Sequence, residues 1–251
     1  MSQLQREQHD DGVVVLTLNS GSGNPLSPEL VSELSRVTLE LSEAPPRAVV
    51  IGAGDSKVFS AGFDLPAVGD YDPEHLTAFF EGFLGVVDRL LRLPCPVIAA
   101  VGGHAIAGGF ILTLACDFRV VGTGRKKLGL SEVDLGAAVP AGAQLLLAER
   151  TSSQAARYLC QTGNLIGPDE AHRIGYADEL ADTPNERALE LARSLAAKPG
   201  HAVGTTKLLH GSALADRVRS ADERGMEPFL ATWFSTEAQT SIAALVKRLK
   251  G

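Results

Sequence analysis

Residues 95–120 read CPVIAAVGGHAIAGGFILTLACDFRV, and how this stretch divides into elements decides the fold. From Leu93 to Cys116 there is no formal charge, a length that would span a bilayer. The interior of the run argues against a membrane helix. Pro94 and Pro96 stand at its start, glycine pairs at 102–103 and 108–109 break it, and His104 lies near its centre. A buried strand (PVIAAV, 96–101), a glycine-rich bend and a buried helix beginning near Gly108 account for the same residues.

Outward from this stretch, further β-rich runs stand at VVVLTL (13–18), AVVIGA (48–53) and DFRVV (117–121). Their continuous apolar character suits a sheet covered on both faces. Leu30, Leu34, Val37 and Leu41 recur at helical spacing after Ser27, an expected N-cap, and Pro28 at the first helical position. Leu76, Phe79, Phe83, Val87 and Leu90 form a second stripe behind Pro73. Both stripes are read as core. After about residue 141 strand signals fade and helical patterns continue to the end, with PDEAHRIG (168–175) as a short helix stopped by Gly175. No repeat, low-complexity tract or long linker interrupts this α/β pattern.

With 251 residues, 45% of them hydrophobic and 21% charged, the chain is long enough for one large domain or two small ones. A net charge of -7 with scattered basic residues argues against nucleic acid as a partner. Cys95, Cys116 and Cys160 are odd in number and form no C-x-x-C pair, so neither a disulfide framework nor a metal site is expected. The polar, acidic start MSQLQREQHDDG carries no export signal. A soluble, cytoplasmic protein is expected, with no membrane partner.

AVVIGAGDSK (48–57) begins like a dinucleotide-binding turn, but Lys57 occupies the third glycine position and no amphipathic helix follows. Ser60 in VFSAG resembles a nucleophile elbow with Val58 where its first glycine belongs, which weakens a serine-hydrolase reading in which His104 would be the base. FSAGFDL (59–65) and GHAIAGGF (103–110) are more informative together. Each is a glycine-containing bend after a strand, able to leave a backbone N–H unpaired in a cleft, and two such donors form an oxyanion hole.

With these blocks, and with NPLSPELVSEL, LGLSEVDLGAAVPAG and TTKLL, nearly the whole chain resembles the enoyl-CoA hydratase/isomerase, or crotonase, family. The resemblance implies a crotonase-like spiral of ββα turns over 1–195 and a helical C-terminal trimerisation region over 196–251. It implies an acyl-CoA substrate bound by a homotrimer or a dimer of trimers. Coenzyme A would enter as part of the thioester, so no separate cofactor is expected. The N–H groups of Phe63 and Gly108 would hold the thioester oxygen, and the backbone from Ala61 through Asp64 to Leu65 would receive the adenine end of CoA. Too much apolar surface over 200–249, including Phe229, Trp233, Phe234 and Leu245, is expected for one chain to cover.

Family hydratases use two glutamates. The second aligns with Glu132 in LSEVDLG, while the first aligns with Ile111. Hydration needs water held and a proton handled over the reacting carbons, whereas a 1,3 double-bond shift needs one base and a stabilised dienolate. The LSEVDLG segment also resembles that of the family's Δ3,Δ2-enoyl-CoA isomerases. The expected activity is therefore isomerisation by Glu132, with Ile111 as an apolar wall of the substrate site. The alternatives are a hydratase, or another lyase or hydrolase of fatty-acid degradation, using Asp70, Asp134 or Glu81, and a silent acyl-CoA-binding homologue. The loop NSGSGNP (19–25) lacks the basic residue many members place near CoA. Lys57, the RKK at 125–127 and the terminal KRLK are the available substitutes.

Overall fold

A computed structural model describes residues 2–250. Its strands are β1 (Leu4–Gln8), β2 (Val13–Leu18), β3 (Ala48–Gly52), β4 (Val58–Ser60), β5 (Val97–Val101), β6 (His104–Ile106), β7 (Phe118–Gly122), β8 (Leu128–Gly129) and β9 (Glu179–Ala181). Its helices are α1 (Pro28–Glu43), α2 (Leu65–Val68), α3 (Pro73–Arg92), α4 (Gly108–Leu114), α5 (Ala141–Arg150), α6 (Ser153–Thr162), α7 (Pro168–Arg173), α8 (Pro184–Ala196), α9 (Gly200–Trp233) and α10 (Thr236–Lys250). A 3-10 turn covers Glu132–Leu135.

The larger sheet has the order β1-β2-β3-β5-β7-β9, and the smaller one β4-β6-β8. Among the paired strands of the described residues, only β1–β2 is antiparallel. In three successive turns of chain the first strand (β3, β5, β7) joins the large sheet and the second (β4, β6, β8) joins the small one, before the chain enters helical structure. This is the spiral of ββα turns.

The apolar runs are continuous because the large sheet is covered twice. Val49, Ile51, Val97, Ala99 and Val101 face the main core, while their neighbours Ala48, Val50, Ile98 and Ala100 face α8. Ala188, Ala192 and Ala196 recur along one face of α8, and their small side chains let the helix lie close on the strands. The sequence-based boundaries of the central strands hold to within a residue or two. Expected caps also form: the Leu30 amide donates to Ser27 Oγ (3.1 Å), with Pro28 in the first turn of α1. Strands β1, β4, β6, β8 and β9 were not legible. β1 is an exposed, polar edge, and the others have two or three residues each.

The C-terminal region requires a correction. Phe229 and Trp233, expected to need a second chain for cover, are buried within this chain's own core, and Phe234 packs against it. Rings explain how: Phe80 lies 4.4 Å from Phe229, which lies 5.9 Å from Trp233. Leu214, Ala215, Val218 and Ile242 join the same core. No helix among the described residues is long and apolar enough to cross a membrane.

Helix α9 is anchored by one row of residues. The ends of α3 and of the turn after it leave carbonyls without helical partners, and Lys207 Nζ donates to Leu90 O (3.0 Å) and Cys95 O (2.9 Å). The same ammonium pairs with Asp117 (2.8 Å). On either side, Gly204 and Gly211 leave no room for a Cβ against the carbonyls of Pro94 and Leu91. Replacing Lys207 by Met removes the cation while leaving Asp117 and two carbonyls without it. The expected loss is about 3 kcal/mol, read as a lowered urea midpoint with the slope unchanged.

Candidate active site

Three parallel neighbours, β4, β6 and β8, end side by side, and the residues that follow them carry the candidate chemistry. Strand β4 runs into Ala61–Leu65, β6 into Ala107 and Gly108, and β8 into the Glu132 turn. Carboxyl ends of parallel strands are where open α/β sheets present ligand sites.

Local pairing frees the two N–H groups. Phe63 bridges in parallel to Leu26, whose amide donates to Gly62 O (2.8 Å) and whose carbonyl accepts from Asp64 N (3.2 Å). The Phe63 amide is thereby turned away from Leu26, and no acceptor meets it among the described residues. Ala107 is held at φ 50°, ψ −125°, a conformation that an L-residue adopts under strain. Its own N–H is pinned to Gly129 O (2.9 Å). The next amide, that of Gly108, opens α4 and likewise has no protein acceptor among the described residues.

Two glycines permit this juxtaposition. Gly62 has φ +94°, and a Cβ there would stand 3.3 Å from Gly108 N. At Gly109 a Cβ would meet Ser60 O at 2.5 Å, so α4 rests directly on the end of β4. The Phe63 ring closes the opposite side, edge-on to Phe79, Phe80 and Phe83 at 5.1 Å from each. The stripe on α3 was legible as core, but nothing in the sequence marked it as the seat of Phe63.

Glu132 opens the 3-10 turn, which stops at Gly136 in the left-handed conformation (φ 81°). The residue is half-buried, yet its Oε2 is cut off from solvent and has no hydrogen-bond partner. Burial pushes the carboxyl up from an ordinary 4.5 to about 7, against the opposing pull of its own backbone N–H. Cys160 of α6 is near enough for the two to interact, and burial drives that thiol up to about 12, where it stays protonated. Ile111, one turn into α4, is 2% exposed and belongs to the core.

The remaining candidates separate clearly. Ala61 is exposed, while Asp64 and Leu65 are half-buried at the entrance to α2. Asp70, Glu81 and Asp134 are all exposed, without the desolvation that marks Glu132. Ser60 is fully buried, its Oγ accepting from Gly62 N (3.2 Å), and His104 Nδ1 accepts from Lys127 N (2.8 Å). Both side chains are engaged in holding backbone. Lys57, Arg125 and Lys127 are exposed, whereas Lys126 Nζ is drawn to Thr123 O (2.7 Å).

Sequence reasoning missed the contribution of α10. Ala238 and Ile242, one turn apart and both buried, reach the two halves of the site. A Cβ on Gly136, beside the Glu132 turn, would stand 3.1 Å from Ala238 N, and one on Gly69, beyond Phe63, 3.2 Å from Ile242 Cγ2.

A ββα spiral with paired free amides and a buried carboxyl at its strand ends defines a class, and comparison with known proteins agrees. Residues 8–250 match the family model described as enoyl-CoA hydratase/isomerase. The chain belongs to the enoyl-CoA hydratase/isomerase, or crotonase, family and is an enzyme of that class. Among its relatives, the mitochondrial enoyl-CoA delta isomerase 1 of Homo sapiens is 29% identical over 95% of this chain and 80% of the relative. A putative enoyl-CoA hydratase of Thermus thermophilus is 36% identical over 73% of each chain. The crystal structure of human mitochondrial delta3-delta2-enoyl-CoA isomerase superposes with a TM-score of 0.91, at 27% identity, covering 99% of this chain and 98% of that one.

The raised Glu132 pKa has a stability consequence of defined sign. Between about 4.5 and about 7 the folded state holds a proton that the unfolded chain has released, so stability is lost as pH rises through that window and is flat above it. Glu132→Gln removes this penalty. The variant is expected to be more stable than the parent by about 3 kcal/mol at pH 8 and nearly equal to it at pH 4, as measured by urea unfolding at both pH values.

Proposed function

We propose that this protein is a Δ3,Δ2-enoyl-CoA isomerase in which Glu132 is the single acid–base residue. The observation that carries this reading is a carboxyl oxygen that is buried, unpartnered and poised near neutrality. Opposite it, where a hydratase would place a second carboxylate, the chain has Ile111. In this reading the carboxylate takes a proton from C2 of a 3-enoyl thioester. The electron pair moves into the thioester carbonyl as a dienolate, whose oxygen is held by the N–H groups of Phe63 and Gly108. Glu132 then returns the proton at C4, leaving the 2-enoyl thioester. No atom is gained or lost. The turn at Ala61–Leu65 is assigned to the adenine end of CoA, and Ile111 to the apolar wall that keeps water from the dienolate.

A general base must be ionised to begin and protonated to finish, and a pKa close to working pH serves both. The exposure of Asp70, Glu81 and Asp134 counts against a hydratase built on one of them. The identity to the Thermus relative, named as a putative hydratase, favours hydration as the second reading. The three cysteines are buried and free, which suits the reducing, cytoplasmic setting expected from the sequence.

The test is incubation of the protein with a 3-enoyl-CoA and separately with a 2-enoyl-CoA, each product being followed by mass. Isomerisation conserves mass, and hydration adds one water. We expect isomerisation, with kcat/KM rising with pH to a plateau around an apparent pKa of about 7. Glu132→Gln should lower kcat by at least about 10²-fold while KM changes little. Strong hydration of the 2-enoyl-CoA would overturn the reading.

The assembly we propose is a trimer or a dimer of trimers. With Phe229 and Trp233 covered internally, its support is the family resemblance alone. Light scattering at micromolar concentration should give the mass of three or six chains, and a monomeric mass would refute it.

A further inference from the structure

Glu132 stands on a single 3-10 turn, in which Asp134 N donates to Ser131 O, Gly136 N to Val133 O and Ala137 N to Glu132 O, each at 3.1 Å. A short turn of this kind does not hold a side chain to catalytic tolerance by itself. The connection from it to α5 is instead tied to α9. Ala138 N donates to Thr232 Oγ1 (2.9 Å), and the same hydroxyl donates to Phe229 O (2.8 Å). Donor and acceptor capacities of the Thr232 hydroxyl are thus both engaged, which fixes its orientation. A second tie follows where Gly142 N donates to Asp222 Oδ1 (2.7 Å), the carboxylate occupying the space a Cβ on Gly142 would need.

We propose that Thr232 is a positioning residue for Glu132, with Asp222 as a second tether, and that together they hold the base over the reacting carbons and keep water from it. The inference rests on the isomerase reading above. Glu132 Oε2 is buried without a partner, so an outward swing of the segment would hydrate the charge and lower its energy. Side-chain hydrogen bonds to the backbone on its far side oppose that movement. Thr232 itself needs no contact with substrate.

The experiment follows isomerisation of a 3-enoyl-CoA in D2O by the unaltered chain, Thr232→Val, Thr232→Ser and Asp222→Ala. It reads kcat, KM and the fraction of product that carries deuterium. Valine keeps the shape of threonine but cannot accept from Ala138, whereas serine can. For Thr232→Val we expect kcat to fall about tenfold, with KM within twofold, since small misplacements of reacting groups carry penalties of this size. The deuterium fraction should rise at least twofold, because a loosened base exchanges its proton with solvent before returning it. Thr232→Ser should restore both values to within twofold, and Asp222→Ala should move them in the same direction as valine.

The deuterium fraction is counted per turnover and is independent of how much variant is folded. A lowered kcat with an unchanged deuterium fraction would therefore mean only fewer working molecules, and would overturn the proposal. So would a valine variant indistinguishable from the parent. Absence of turnover by the unaltered chain would instead overturn the isomerase reading, and this inference with it.

Discussion

The close approach of backbone to backbone between β4 and the β6–α4 segment is the constraint on which the rest of the site depends. Gly103 leaves no room for a Cβ against the backbone of Lys57 and Val58, and Gly109 presses on Ser60. Any larger residue at these points would push α4 away from β4, and the Gly108 amide would leave the neighbourhood of Gly62 and Phe63. The small sheet has too few residues to be stable by pairing alone. It persists because α4 packs on β4 and β6 and because Phe59, Ala105 and Leu128 are buried in the main core. Strain at Ala107 is tolerated for the same reason: its N–H is held by Gly129, and Ile111 N donates to its carbonyl (2.9 Å).

Electrostatics in this molecule divides into charges held for stability and one left exposed to its own burial. Arg119, buried at the end of α4, donates to Cys116 O (2.8 Å) and Tyr176 O (2.5 Å) and pairs with Asp178 (2.7 Å). Arg150 Nε donates to Leu114 O (3.1 Å). Cations thus gather where the α4 carbonyls lack helical partners, the end of the helix opposite Gly108. Asp222, pushed up to about 6 by burial, recovers part of that cost through Gly142 N. Glu132 Oε2 has no such return. The fold thus leaves one oxygen of a buried acid unpaired and gives up stability at that position.

The C-terminal helices connect these two themes. Helix α9 is fastened near its start by Lys207 against the end of α3, and near its finish by Thr232 against Ala138. Between them, Asp222 meets the start of α5. Helix α10 then lies across α2 and the Glu132 turn through Ile242 and Ala238. The segment carrying the Phe63 and Gly108 amides and the segment carrying Glu132, which come from separate turns of the spiral, are thereby held against one common support.

Much of this was legible in the sequence. Apolar runs determined the central strands, because a sheet covered on both faces favours apolar side chains; Arg119 of β7 is the exception, held by Cys116 O, Tyr176 O and Asp178. Ser27 with Pro28, and the Leu76–Leu90 stripe, determined α1 and α3 through capping and helical period. The glycine bends at 59–65 and 103–110 marked segments able to leave amides free, as Phe63 and Gly108 do, whereas the single-base expectation at Glu132 and Ile111 came from the family resemblance. What only the tertiary structure decided is of another kind. Strands of two or three residues exist because neighbours hold them, so no local pattern announces them. Burial of Phe229 and Trp233 by their own chain depends on where α9 crosses α3. The raised Glu132 pKa depends on what surrounds a single oxygen. These are properties of distance between residues far apart in the chain, and periodicity, propensity and motif record only what lies close along it.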